Sequence, residues 1–210
     1  TVTKSGKNEI IELRGRGLDT PLRISTALFG DFNYQNIAAA AIMALRLGVP
    51  GQVIVEAVSA FKGVQRRQRL LYQSEYLHIY EDFAHHPTAI HQMLTAAAGR
   101  FPDAELVAVY EPRSATSRRN TFQAALCDAF ESAHSVYIRQ PAMLEKIPEA
   151  ERIDMNAVVA RIKGSGKPAV LLPDGDSIVD DIVSLIRDDP RKARVIVIMS
   201  NGGFDGIFKA

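Results

Sequence analysis

In the segment Tyr80-Glu81-Asp82-Phe83-Ala84-His85-His86-Pro87-Thr88, the Asp82 carboxylate and two imidazoles fall between two structural patterns. An apolar strand pattern, Tyr76 to Tyr80, precedes it. A helical pattern that starts near Pro87 and runs through Ile90, Met93, Leu94 and Ala97 follows. Asp82, His85 and His86 therefore fall where a strand ends and a helix begins, the edge at which open α/β sheets take ligands and where helix N-termini favour phosphate. Pro87 suits a first helical turn, because its missing N–H would be unpaired there anyway. A carboxylate there can accept from ribose hydroxyls or a base amine, and an imidazole can donate to phosphate, so a nucleotide suits the site. A zinc site would recruit Asp82, His85, His86 and His91, but adjacent loop histidines rarely converge on one metal and no Cys or HExxH pattern supports it. No metal ligand is assigned.

Four further segments have the residue types for binding chemistry. Glu111-Pro112-Arg113-Ser114-Ala115-Thr116-Ser117-Arg118-Arg119 follows a strand pattern ending at Tyr110, hence on the same edge as Asp82. Its separated arginines, with Ser114, Thr116 and Ser117 between them, suit a carboxylate; a capping serine with solvated arginines is the plainer reading. Ser200-Asn201-Gly202-Gly203-Phe204 also follows a strand pattern, and its glycines either let backbone approach a ligand or form a tight turn. Gly63-Val64-Gln65-Arg66-Arg67 reads as a hinge whose arginines reach a nucleotide or are merely solvated. In Gly30-Asp31-Phe32-Asn33-Tyr34-Gln35-Asn36 the amides of Asn33 and Asn36 can share a helix face, or one of them caps the helix. Gly164-Ser165-Gly166-Lys167 only imitates a phosphate loop: Arg161 and Pro168 stand at the wrong places and a strand follows it. Pro173-Asp174-Gly175-Asp176 is expected to be a turn, with Asp176 capping the next helix.

These segments need elements to hold them. From about Leu70 onward, strand patterns (Leu77–Tyr80, Leu106–Tyr110, Ser135–Ile138, Ala169–Leu172, Val195–Met199) alternate with helical ones (Thr88–Ala98, Arg119–Glu131, Met155–Ile162, Ser177–Arg187). Near-continuous apolar runs such as Val195-Ile196-Val197-Ile198 suit strands buried on both faces. The fold class is therefore α/β, a doubly wound, mostly parallel, Rossmann-like sheet. Upstream lie strand patterns Ile10–Leu13 and Leu22–Ser25, a turn at Arg14–Gly17, and helices Ile37–Leu47 and Val53–Phe61. That part is too short for a complete α/β domain and is read as the mostly helical tail end of a larger domain whose start is missing. Domains are expected at 1–66 and 67–210. The chain starts at Thr1 without Met, so it is read as a piece of a longer protein.

Composition narrows the function classes. The 210 residues are 47% hydrophobic and 23% charged, ordinary for a globular domain. A net charge of +1 gives no bulk case for nucleic acid or an anionic membrane. Apolar runs such as Ile37 to Leu45 fall short of a membrane span. The single cysteine, Cys127, excludes an intramolecular disulfide, and cytoplasmic localisation is expected.

Taken in order and spacing, the segments over about residues 28–208 resemble the C-terminal portion of the Mur ligases, the ATP-dependent amide-forming enzymes of peptidoglycan assembly. The family's helix start Gly-x-His-Asn-x-x-Asn reads here Gly30 to Asn36, its hinge Arg-Arg is Arg66-Arg67, and its Asp-Asp-Tyr-x-His-His-Pro-Thr segment is Glu81 to Thr88. The Phe83-to-Ile90, Glu111-to-Ser114 and Ser200-to-Ile207 forms look most like the branch that recycles murein tripeptide. The resemblance implies ATP and Mg²⁺ as cofactors, with UDP-N-acetylmuramate, the tripeptide L-Ala-γ-D-Glu-meso-diaminopimelate and missing N-terminal domains of the same protein as partners. It places Asn33, Asn36, Arg67 and Asp82 around ATP and His85 near the phosphates or an acyl phosphate. His86, Arg113, Ser114, Thr116, Arg118, Asn201, Gly202 and Gly203 would hold the peptide. Phe32 replaces the family's His, and Gln68-Arg69 departs from the residues that often follow the Arg pair. The main phosphate and Mg²⁺ ligands would lie upstream, so the piece alone is expected to be inactive. A ligase that adds L-alanine, or a non-catalytic α/β ligand-binding module, are the competing readings.

Overall fold

The computed structural model describes residues 2–5, 8–14 and 20–209. It divides into two compact units, Thr1–Val64 and Gln65–Ala210.

In the first unit, strands β1 (Val2–Ser5), β2 (Asn8–Leu13) and β3 (Leu22–Thr26) form an antiparallel sheet in that order. Ile11 and Ile24 face each other across β2 and β3 and are buried with Ile37. Helices α1 (Asp31–Arg46) and α2 (Gly51–Ala60) follow. Helix α1 starts six residues before the expected Ile37, because Gly30, at φ 92°, turns the chain into it and no side-chain cap is needed. Neither asparagine caps the helix: Asn33 Nδ2 donates to the Phe29 carbonyl from inside the first turn, and Asn36 is exposed. Of the turn expected at Arg14–Gly17, residues 15–17 lie outside the described residues.

The second unit is a six-stranded sheet flanked by helices on both faces. Its strands are β4 (Arg69–Gln73), β5 (Leu77–Asp82), β6 (Glu105–Tyr110), β7 (Ser135–Arg139), β8 (Ala169–Leu172) and β9 (Arg194–Met199). The order is β4-β5-β9-β6-β7-β8, all parallel except the antiparallel edge strand β4. Helices α3 (Pro87–Arg100), α4 (Gln123–Ala129) and α5 (Met155–Gly164) pack in succession along one face. Helix α6 (Gly175–Asp188) and the 3₁₀ segment Phe204–Lys209 cover the other, where Ile178, Ile182 and Phe204 meet Val107, Val109, Ile196 and Ile198. Central β9 is buried along its whole length, as its unbroken apolar run requires.

Three departures from expectation have physical causes. Strand β4 is mostly exposed, lacks an apolar alternation and exists only through pairing with β5, interrupted by an irregularity between Leu70 and Tyr72. The helix expected from Arg119 begins only at Gln123, after a 3₁₀ turn at Asn120–Phe122, because Arg119 is extended and bridges Arg152. Asp174, not Asp176, caps α6: its carboxylate accepts from both the N–H and the hydroxyl of Ser177. Among the described residues no helix is long and apolar enough to cross a membrane.

Candidate functional site

Register alone brings the candidate segments together at the carboxyl edge of the sheet. Asp82 and Tyr110 both pair with Met199, so β5, β9 and β6 end side by side and their following loops emerge as neighbours. Strand β9 returns from β8 to lie between β5 and β6, and such a crossover point is where open sheets bind ligands.

Asp82, only 6% exposed, is turned inward. Its Oδ2 accepts from the Gln68 N–H at 2.9 Å and its Oδ1 from the Ala84 N–H at 2.8 Å. Burial pushes its carboxyl above the usual range, against those two amides and the Arg67 charge. The carboxylate ties the chain at Gln68 to the end of β5. Arg66 and Gln68, on either side of Arg67, sit at φ 62° and 48°. Left-handed backbone costs a non-glycine residue about 1 kcal/mol, and these bonds offset it.

The imidazoles differ. His86 is the exposed N-cap of α3, its Nδ1 accepting from the Thr88 N–H, with Pro87 in the first turn as expected. The half-buried His85 directs Nδ1 at the Phe83 carbonyl, 2.9 Å away. A carbonyl only accepts, so Nδ1 carries the proton, and neutral His85 keeps a lone pair on Nε2. Both rings line a cavity of about 80 Å³ with Tyr110, Ser114, Thr116, Arg119 and Phe122. That is room for one small group, well below the several hundred Å³ of a whole ligand pocket. Tyr110 is fully buried, its hydroxyl donates to the His85 carbonyl, and burial pushes its own ionisation up.

Hydrogen-bonding separates the arginines. Arg118 spends Nε on the Ser114 carbonyl and Nη1 on the Ala142 and Met143 carbonyls, so it buckles two loops together. Arg119 pairs with Glu151. Ser114 and Ser117 bond each other; Thr116 is exposed. Arg67 lies over the Phe83 ring, 5.1 Å from its centroid, and Arg113 lies against Gly202. Neither Arg67 nor Arg113 has a hydrogen-bond partner among the described residues, and both are exposed, so both keep their N–H donors for an anion. A Cβ on Gly202 would come within 2.1 Å of Arg113 Cδ, whereas one on Gly203 would meet nothing within 4 Å. Beside Gly202, the Asn201 Oδ1 is buried with no hydrogen-bond partner among the described residues.

The sequence reading of Arg66, as a nucleotide contact or a solvated linker residue, is not what the structure shows, and the partners that hold this edge carried no individual role in it. Arg66 pairs with Glu81 and donates to the Ser200 and Gly202 carbonyls. The Ser200 hydroxyl donates to Glu111 at 2.5 Å and accepts from the Gly202 N–H. Arg139 grips both oxygens of Asp205, which also accepts from the Gly175 N–H at the start of α6. Only paired signs, such as the acid Glu81 with Arg66, hint at these bonds in the sequence. The Arg139 guanidinium holds the Asp205 carboxyl below its usual range. A depressed folded-state value means stability present above the unfolded carboxylate range and lost as pH falls through that range and below it. In urea unfolding from about pH 6 to about pH 3, Asp205→Asn is expected to lose stability less steeply than the parent; equal slopes would discount the linkage.

For a nucleotide the fit is divided. Arg67 on Phe83 offers an open planar cation, while Asp82 is already engaged by two backbone amides. Asn33 and Asn36 belong to the first unit. Among the described residues no group of three His, Cys, Asp or Glu side chains could hold a metal ion.

The strand order and the carboxyl-edge loops define an α/β domain whose candidate ligand edge carries two arginines with open N–H donors. The chain belongs to the Mur ligase family: the family described as "Mur ligase, glutamate ligase domain" matches residues 66–202. Over 88% of its length it is 32% identical to the UDP-N-acetylmuramate–L-alanyl-γ-D-glutamyl-meso-2,6-diaminoheptandioate ligase of Escherichia coli. It is 38% identical, over 53% of its length, to the UDP-N-acetylmuramate–L-alanine ligase of a Roseiflexus species. It spans 37% and 24% of those two relatives. Among solved structures, the murein peptide ligase of Psychrobacter arcticus aligns with 99% of this chain, and 41% of its own, at TM-score 0.61 and 27% identity. The UDP-N-acetylmuramate–alanine ligase of Thermotoga maritima aligns with all of this chain, and 43% of its own, at TM-score 0.77 and 18% identity, a likeness of fold alone.

Proposed function

We propose that this chain is the amine-substrate-binding part, with the tail of the ATPase domain before it, of an ATP-dependent carboxylate–amine ligase that joins murein tripeptide to UDP-N-acetylmuramate in peptidoglycan recycling. One observation carries the reading: an arginine with all its donors unused, Arg113, lies against the turn that holds the orphan acceptor Asn201 Oδ1. A cation with open N–H donors, near the Asp205 charge but not bonded to it, beside an acceptor for an ammonium or amide N–H suits an amino-acid-like end. In the reaction, the muramate carboxylate attacks the γ-phosphorus of ATP and ADP leaves. The tripeptide amine then attacks the acyl carbon, phosphate leaves, and the amine gives up a proton. His85, with Nδ1 held by Phe83, keeps Nε2 for that proton when neutral, or as a donor to phosphate when charged. Arg67 is assigned to the nucleotide, and Asp82 acts on it by fixing the hinge. Arg118, Ser114 and Thr116 shape the peptide loop, and His86 stands at its rim. Mg²⁺ and most phosphate contacts are assigned to upstream parts of the longer protein, so the isolated chain is expected not to turn over.

The L-alanine ligase of the same family is the second reading, favoured by the 38% identity to the Roseiflexus relative. Calorimetric titration of this chain with L-Ala-γ-D-Glu-meso-diaminopimelate, with L-alanine alongside, separates the two. Selective uptake of the tripeptide supports the first reading, and preference for L-alanine replaces it with the second.

A further inference from the structure

We infer that Arg66 is a positioning residue: it fixes the 200–203 turn, and through Gly202 the seat of the Arg113 guanidinium, and so sets how firmly the anionic end of the incoming peptide is held. This rests on the peptide-binding reading above. The Arg66 guanidinium reaches over the ends of β5 and β9 from a left-handed backbone, φ 62°. Its Nε donates to Glu81 Oε1 at 3.1 Å, on a side chain only 4% exposed. Its Nη2 donates to two carbonyls of one turn, Ser200 at 3.1 Å and Gly202 at 2.5 Å.

The turn is held from the other side as well. The Gly202 N–H donates to Ser200 Oγ, whose hydroxyl donates to the buried Glu111. Both polar groups of Gly202 are therefore committed, and the orientation of its peptide planes is set. The face left over is the one on which Arg113 lies, with three side-chain atoms within 2.4 Å of where a Cβ would be. Arg113 has no hydrogen bond of its own among the described residues, so that surface, together with the nearby Asp205 charge, sets its position. Arg66 also adjoins the hinge, with Gln68 tied to Asp82 two residues on. A change in hinge backbone at Arg66 would thus move the peptide's arginine without touching the peptide.

The test uses the whole 210-residue chain with Arg66→Gln, and Arg66→Lys as a milder variant that keeps the charge but loses the planar fork. Amide exchange at 201–203 is expected to quicken about tenfold in Arg66→Gln, with the side-chain Nε–H resonance of Arg113 shifted and a smaller effect in Arg66→Lys. Tripeptide affinity should weaken about tenfold, and the same substitution in an Arg113→Ala background should weaken it no further. A purely structural role would instead add the two losses. Unchanged exchange at 201–203 and an unmoved Arg113 resonance overturn the inference even if no ligand binds. Additive losses overturn the positioning role while leaving the turn contact intact. If the parent chain binds no tripeptide but the turn still loosens, the peptide-binding reading fails, and with it the assignment of Arg66 to peptide affinity.

Discussion

Asp82→Ala is expected to lower the melting temperature of the chain by roughly 6–12 °C, judged from about 3 kcal/mol and 2–4 °C per kcal/mol at this size. The estimate follows from what the carboxylate holds. Its two oxygens accept from the Gln68 and Ala84 amides in a site where Asp82 is 6% and Gln68 8% exposed. Alanine leaves both donors without a partner and with little access to water, and each such loss costs about 1–3 kcal/mol. Asn is an informative second variant. Its single carbonyl oxygen satisfies one amide while its NH₂ opposes the other, so the loss should lie between those of Asp and Ala. Burial raises the Asp82 carboxyl above its unfolded value, so ionising it costs more in the folded state. The parent should therefore gain slightly, relative to Asp82→Ala, as pH falls through the interval between the two values, the opposite sign from Asp205. Scanning calorimetry of the three proteins decides the matter; a melting point within 2 °C of the parent, against roughly 1 kcal/mol at this size, would mean that water replaces the carboxylate. In an intact ligase Asp82→Ala should also raise the KM for ATP, because the hinge residue Arg67 loses its neighbour's anchor.

Gly202→Ala is expected to weaken tripeptide binding by roughly 10- to 100-fold while leaving thermal stability almost unchanged, since a charge-assisted contact is worth about 1.5–3 kcal/mol. The new methyl would lie 2.1 Å from Arg113 Cδ and 2.4 Å from its Nε and Nη1. These atoms belong to an exposed, flexible side chain, so Arg113 swings away at little cost to the fold. The guanidinium then no longer faces the ligand. Gly203→Ala is the control, because its Cβ would meet nothing within 4 Å. Arg113→Ala should reproduce the Gly202→Ala loss, and the double variant should equal either single one, because both remove one interaction. Calorimetry with the tripeptide reads all four. Full affinity in Gly202→Ala would remove Arg113 from the site; a collapse in melting temperature would show that Gly202 serves the fold instead.

Much of the architecture was legible from residue types alone. The apolar runs at 106–110 and 195–199 can only be strands buried on both faces, and helical periods between them require crossovers, hence a doubly wound parallel sheet. Pro87 and the helix beyond it were fixed by local chemistry, since a proline N–H is not missed in a first turn. The candidate loops were legible for the same reason: each follows a strand pattern, and strand ends on a parallel sheet share one edge.

What local pattern did not contain was decided by pairing across long stretches of chain. Strand β4 exists because Leu70 meets Tyr80, not because of its own sequence. Asp174 outcompeted Asp176 as the α6 cap because only its carboxylate faces Ser177. The division of labour among arginines was likewise invisible, since the sequence gives five arginines of one charge at 66, 67, 113, 118 and 119. Tertiary structure spent Arg66 on a turn 134 residues away and Arg118 on the carbonyls near 142, and left Arg67 and Arg113 open. The sequence by itself determined the layers, the ligand edge and the family, because periodicity and motif order are local properties. Which side chains on that edge are free to bind was settled only by the folded chain, because hydrogen bonds between distant residues use up donors that look identical in one dimension.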